Sequence, residues 1–248
     1  MTTNSISENL RTWNETHPWP EDGDEWKGQA VVCGVPYPEW KQALVDHLIV
    51  PYAHPGSTVL EIGPGHGRWT EFLARAAGRL VLVDLSPNCL EHCRRRFAGA
   101  SHLEFHVTDG RSLPRGLDDS IDLVWSFDAM VHVGPEDFRL YLQHIARVLK
   151  PGGHAVLHHA NRWHGTLWLA GMRRFGPRAT LLYRAISIGL QERIDGWRSP
   201  VSARRVRRYA KEAGLQVVTQ CQRWGDGDRF GVPRFNDRVT ILCKPAGA

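Results

Sequence analysis

Nowhere in its 248 residues does the sequence run to eighteen consecutive apolar residues, so no segment reads as a membrane-spanning helix. Cysteine is scarce and scattered: Cys33, Cys89, Cys93, Cys221 and Cys243 are odd in number and hold no C-x-x-C pair, which argues against a disulfide framework and a zinc ribbon. Lysine is rare for a basic chain, 5 residues against 26 arginines, with a net charge of +5. The opening MTTNSISENLRTWNE is polar and acidic where a secretion signal carries an apolar core, so a cytoplasmic protein is expected. Glycine and proline, 24 and 15 residues without a period, are too few for a collagen-like or disordered chain.

What is present has globular proportions, 42% hydrophobic and 23% charged, in a chain long enough to bury about three quarters of its unfolded surface. From residue 56 onward, short β-branched runs alternate with helical stretches, the pattern of βαβ units. Strands are expected at 58–63, 79–85, 103–108, 120–127 and 153–160, and helices near 67–77, 87–98 and 136–149. The Lys150-Pro151-Gly152-Gly153 run should close the last of these helices and turn into the next strand. Ser202 suits the N-cap of a helix to about Ala213, with Gly214 as its stop. Runs 215–224 and 238–244 are separated by too little chain for a crossover helix and should pair antiparallel. The expected fold is α/β: a doubly wound, mainly parallel seven-stranded sheet with an antiparallel last strand. The arginine clusters 94–96 and 204–208 read as solvated helix faces rather than a nucleic-acid footprint.

Glu61-Ile62-Gly63-Pro64-Gly65-His66-Gly67 lies where the first strand meets the first helix, and glycine there lets backbone approach a ligand. A dinucleotide G-x-G-x-x-G would need glycine at 68, where Arg68 stands. Asp84 closes the second strand, 21 residues after Gly63, where a carboxylate can accept hydrogen bonds from two ribose hydroxyls. Asp109, followed by Gly110, ends the third strand and suits recognition of a purine edge. Two acids at consecutive strand ends favour a nucleoside without phosphates.

Taken in order, VLEIGPGHG, LVLVD, VTDG, DLVWSFDAMVHV and LYLQHIARVLKPGGHAVL resemble the class I S-adenosylmethionine-dependent methyltransferases over about residues 57–160. The resemblance implies the Rossmann-like fold of that family, with its seventh strand inserted antiparallel beside the fifth, and S-adenosyl-L-methionine as cofactor. It further implies that Gly63, Gly65 and Gly67 line the methionine and ribose part, that Glu61 orients the loop or the cofactor's amino group, and that Asp84 holds the ribose. Asp109 and Gly110 would hold the adenine, and Leu85 and Phe127 would sandwich it.

Methyl transfer to an alcohol calls for a positioned base, and six of thirteen histidines fall between 132 and 164. His132 and His159 are the candidate bases, with Asp128 to orient a histidine or the acceptor. His158 and His159 must point to opposite faces of their strand, and His159 is the one expected toward the acceptor. Residues 46–248 should form the methyltransferase domain. Residues 1–45, with Trp13, Trp19, Trp26 and Trp40, should form an aromatic lid, and residues 161–200 an insert framing the acceptor pocket together with loop 225–237. His164, Asp226, Asp228 and Asp237 are further polar candidates there. No spacing demands a metal. The chain lacks the Asp/Asn-Pro-Pro-aromatic run of exocyclic-amine nucleic-acid enzymes, having Ser126-Phe127-Asp128-Ala129, and no proline precedes a cysteine. The expected partner is a small-molecule acceptor, with O-methylation of a hydroxyl of a specialised metabolite or glycoside ahead of N-methylation of an amine; an RNA substrate and a non-catalytic role are the rivals. Neither nucleic acid nor membrane is an expected partner, and the oligomeric state is left open.

Overall fold

The computed structural model describes residues 4–24, 27–161, 176 and 198–247. Two short helices begin the core: α2 (Gly28–Cys33), which buries Gln29 and Ala30, and α3 (Tyr37–Leu44), which buries Trp40, Ala43 and Leu44 and runs into a π-helical turn at Val45–Ile49. They follow a short α1 (Ile6–Arg11), which is closed at its start by a reciprocal Ser5–Glu8 capping box and continues into a second π-helical turn at Thr12–Thr16.

The sheet is then laid down by β1 (Thr58–Ile62), α4 (Thr70–Ala76), β2 (Arg79–Asp84), α5 (Pro87–Arg96), β3 (Leu103–Val107), β4 (Ile121–Ser126), α6 (Pro135–Val148) and β5 (Leu149–His159). After the insert come α7 (Ala203–Glu212), β6 (Gln216–Cys221), a small ladder of β7 (Arg223–Trp224) with β8 (Phe230–Gly231), and β9 (Arg238–Cys243). The seven-stranded order is β3-β2-β1-β4-β5-β9-β6. Strands β1 to β5 pair in parallel, and β9 runs antiparallel to both β5 and β6.

Nearly continuous apolar strands are what a sheet covered on both faces requires. Alternate residues serve the two layers. Val59, Leu80, Leu82, Leu123 and Trp125 pack toward Trp40, Leu44, Trp69, Leu73 and Leu90. Leu60, Val81, Val83 and Val124 pack toward Phe138, Leu142, Ile145, Val206 and Ala210. Helix α6 shows why it forms: Gly134 precedes Pro135 at its first turn, Glu136 and Asp137 follow where the helix dipole favours acids, and Phe138, Tyr141, Leu142, Ile145 and Val148 make one buried stripe. Ser202 caps α7 by accepting the Arg205 N–H, and Arg204, Arg205, Arg207 and Arg208 lie on its exposed side.

Two expectations need correction. Strand β5 starts at Leu149 rather than 153, because Leu149 pairs with Ile121 as soon as α6 ends. The Lys-Pro-Gly-Gly run therefore lies within the strand as an irregularity, where the Gly152 N–H donates to the Lys244 carbonyl. The run 215–224 is likewise broken: β6 pairs with β9, while Arg223–Trp224 turns away to pair with β8 inside the following loop. Most of the expected 161–200 insert, with His164, and also Trp26, lies outside the described residues. Among the described residues no helix is long and apolar enough to cross a membrane.

Candidate active site

At the carboxyl ends of β1, β2 and β4, where open α/β sheets bind ligands, lies a cleft enclosing about 980 Å³ of space continuous with solvent. Gly63, Gly65, Asp84, Leu85, Gly110, Phe127, Asp128 and His132 line it, so eight of the expected site residues converge. Ile6, Asn9, Trp13 and Trp19 of the N-terminal segment line it too.

Strand β1 ends in a turn whose glycines take left-handed backbone. At Gly65 (φ +57°) a Cβ would lie 2.7 Å from the Trp19 indole, so only glycine lets the N-terminal segment close this far over the loop. Gly67 sits behind the loop against Phe97 and Cys93. Glu61 is also behind it, fully buried, accepting the Thr70 hydroxyl hydrogen bond at 2.6 Å. Burial pushes its carboxyl up to about 8, against the lowering effect of Thr70, so at neutral pH it is a protonated group bracing the loop from beneath.

Asp84 stands at the end of β2, its Oδ1 accepting the Ser86 N–H at 2.8 Å and its Oδ2 the Gly65 N–H at 3.3 Å. Burial raises it to about 6 despite those bonds. Asp109 turns its Oδ1 into its own loop, accepting the Arg111 N–H, the Ser112 N–H and the Ser112 hydroxyl. Its neighbour Gly110 is the cleft residue.

Asp128, just past β4, has φ +66°, a conformation uncommon for a residue with a side chain. Its Oδ2 pairs with Arg68 and its Oδ1 lies 3.1 Å from His158 Nδ1. Burial alone would raise this carboxyl, but the Arg68 charge and the His158 contact hold it well below the usual carboxylate range. His158 in turn stacks on Phe127 with ring centroids 4.3 Å apart, and its Nε2 lies 3.2 Å from Asp237, which Arg198 also holds at 2.9 Å. Burial lowers the His158 imidazole, and its two carboxylate neighbours more than reverse that. The result is a largely buried polar network, Arg68–Asp128–His158–Asp237–Arg198, in which the Asp128 backbone N–H also donates to His158 Nδ1 at 3.1 Å.

The expectation for His159 is corrected. It shares the Leu157 face of β5, with its ring edge-on to Phe138 at 5.9 Å and its nitrogens at the Ala160 carbonyl and the Thr240 hydroxyl, both 2.7 Å away. Burial takes it down to about 4, and it does not line the cleft. His158, on the opposite face with Val156, is the histidine that reaches the Phe127–Asp128 side. His132 does line the cleft, its ring 4.8 Å from Trp13 and its carbonyl accepting from Asn9 Nδ2. Asp226 and Asp228 sit in the turn between β7 and β8, away from the cleft lining.

Sequence reasoning did not single out Asn9 or Asn14, and it passed over Arg68 as a non-glycine. The Asn14 Oδ1 accepts from the Ser86 hydroxyl and the Asn88 N–H, tying the N-terminal segment to the turn after Asp84. Only the tryptophan density of that segment hinted at such docking.

A methyltransferase-domain family model matches residues 59–153, the stretch holding β1 through the start of β5. Methyltransferase GfsG of Streptomyces halstedii is 34% identical over 106 residues, covering 41% of this chain and 37% of its own length. Fatty-acid O-methyltransferase of Mycolicibacterium smegmatis is 33% identical over 153 residues, 59% of this chain and 54% of its own. The chain thus spans about half the length of the curated relatives it matches. Among solved structures, the N-methyltransferase NodS of Bradyrhizobium japonicum with S-adenosyl-L-homocysteine superposes at a TM-score of 0.60, with 20% identity, over 99% of this chain and 100% of that one. Residues 59–153 thus match a methyltransferase domain, and the chain is similar in sequence and fold to class I S-adenosylmethionine-dependent methyltransferases. Within that family fold, the inserted antiparallel β9 and the glycine turn after β1 stand where the resemblance in sequence put them.

Proposed function

We propose that this chain transfers a methyl group from S-adenosyl-L-methionine to a small-molecule acceptor, with oxygen as the receiving atom. The observation that carries the reading is the cleft itself, with the Asp84 carboxylate at one end, the Gly63–Gly65 turn as its floor and Trp13 and Trp19 as its roof. The two Asp84 oxygens each accept one backbone N–H and keep lone pairs for two vicinal hydroxyls. Gly110 and Leu85 would flank the purine, with Asp109 holding its loop in place, and Phe127 would close the inner end. Glu61 and Gly67 would support the loop rather than touch the ligand.

The donor supplies a methyl already activated on a sulfonium, so the protein's own work is to align the acceptor and exclude water. The N-terminal segment supplies exclusion. For a hydroxyl acceptor, His132 is the candidate base that lines the cleft. A second reading has its own observation: Asp128 is held ionised by Arg68, and His158 is tied between two carboxylates. Neither is placed to take a proton, which favours acceptors that need none removed.

Calorimetric titration with S-adenosylhomocysteine tests the donor site, and labelled methyl transfer to panels of alcohols, phenols, amines and carboxylic acids tests the acceptor. Donor binding with transfer to an oxygen supports the reading. Tight binding of NADH or ATP with no heat from S-adenosylhomocysteine would sink it.

A further inference from the structure

We propose that His66 and His92 form a proton-sensitive latch, which holds the N-terminal segment over the cleft while at most one of the two imidazoles is charged and releases it when both are. Three successive carbonyls of that segment are each received by a side chain of the core. The Pro20 oxygen lies 3.1 Å from His66 Nδ1, the Glu21 oxygen lies 2.8 Å from His92 Nε2, and the Asp22 oxygen accepts from Arg96 Nη1 at 2.8 Å. Gly23 then turns the chain at φ +66°, where a Cβ would stand 3.1 Å from the His66 Cβ. His66 belongs to the glycine turn after β1 and His92 to α5, so the latch fastens the segment to both.

The two imidazoles lie face to face, with ring centroids 3.6 Å apart and planes 8° from parallel. A carbonyl can only accept, so each ring carries a proton on the nitrogen that faces the segment. One further proton is accommodated: Trp19 stacks on His66 at 5.0 Å and offers a π face to a cation. A second puts two like charges 3.6 Å apart, a repulsion that favours their separation on the order of tenfold even at the dielectric of water.

Neighbouring charges do not cancel that repulsion. Arg96, one turn along α5 from His92, bridges the carbonyls of Asp22 and His66 through Nη1, and Glu71 of α4 meets its Nη2 at 3.1 Å and balances it. Arg94 and Arg95 share Glu91. Burial pushes the Cys93 thiol up, so it stays neutral. Within the segment, Asp22 accepts the Asp24 N–H, Glu21 is exposed to solvent, and His17 sets its ring edge-on to Trp19 at 4.6 Å. With the segment lifted, the two side chains can turn apart into solvent and take both protons. The open form therefore binds more protons than the closed one, and acid shifts the balance toward opening.

The test reads the pH dependence of opening in wild type, His66→Asn and His92→Gln. The Asn amide stands near the Nδ1 position and the Gln amide near the Nε2 position, so each variant keeps a donor for its carbonyl and removes a titratable ring. Hydrogen exchange is followed in the ligand-free protein at His17, Trp19 and Gly23, whose N–H groups donate within the segment, and is scaled to intrinsic rates at each pH and to the amides of β4. Between pH 7.5 and 5 it should quicken about tenfold in wild type and stay within about twofold in both variants. Wild-type exchange that is flat with pH, or a rise of the same size in either variant, overturns the proposal. A second arm rests on the donor assignment above: acidification should speed dissociation of S-adenosylhomocysteine about tenfold more in wild type than in the variants, the Asp84 contribution being common to all three. Equal acceleration in all three also overturns the latch. Failure of wild type to bind S-adenosylhomocysteine would sink the donor assignment instead, and the exchange measurement would still decide the latch.

Discussion

Glu61 and Asp84, within one loop of each other, are both raised by burial, but Glu61 faces the core and the half-buried Asp84 faces the cleft. Asp84 is raised to about 6 by burial, and only its ionised form can accept from two hydroxyls at once. Affinity for S-adenosylhomocysteine should therefore be flat above pH 7 and fall up to tenfold per pH unit below about 6, with Asp84→Asn weaker by roughly 10- to 100-fold at neutral pH; calorimetry from pH 5 to 8 checks both. Glu61 titrates at about 8 in the fold against an ordinary 4.5, so the native state binds the extra proton and wild-type stability declines as pH climbs through that window. Glu61→Gln keeps an acceptor for the Thr70 hydroxyl and removes the charge. Its advantage over wild type should grow between pH 5 and 8 to the order of a few kcal/mol, read from urea midpoints. A midpoint difference independent of pH would refute that account.

Among the elements, α6 and the N-terminal segment make opposite kinds of contact. Helix α6 is held by a continuous apolar stripe, and Phe138 at its head is fully buried against the sheet face that also carries His159. Phe138→Ala should cost about 3–5 kcal/mol in denaturant unfolding, the usual toll of an aromatic cavity. The α1 segment buries no residue of its own helix and is fastened by polar ties and rings instead: Asn14 to Ser86 and Asn88, Asn9 to the His132 carbonyl, Trp19 stacked on His66. Such contacts can open without unfolding the core. Asn14→Ala should speed dissociation of S-adenosylhomocysteine about tenfold, followed by stopped-flow tryptophan fluorescence, while leaving the unfolding midpoint within about 0.5 kcal/mol. A large fall in the midpoint with unchanged dissociation would show the segment to be structural rather than a cover.

At the scale of the whole molecule, ligand binding and folding are linked, since the cleft is assembled from β1, β2, β4 and the N-terminal segment together. Saturation with S-adenosylhomocysteine at a hundred times its Kd should add about 2.7 kcal/mol to global stability, visible as a raised melting temperature. Asp84→Asn should need proportionally more ligand for the same shift. The sequence by itself determined the sheet, because burial on both faces forces near-continuous apolar strands and the breaks between them fall at glycine, proline and capping serine. Among the residues lining the cleft, Gly63, Gly65, Asp84, Gly110 and Asp128 were legible from their places at strand ends, whereas Leu85, Phe127 and His132 followed from the family resemblance. Tertiary structure alone decided which of His158 and His159 faces Phe127: strand alternation says only that they differ, and the layer each joins depends on partners far away in sequence. The pairing of Arg68 with Asp128, of His158 with Asp237, and of Asn14 with Ser86 was equally hidden, because charges and amides 60 or more residues apart carry no local periodicity and meet only once the layers have packed.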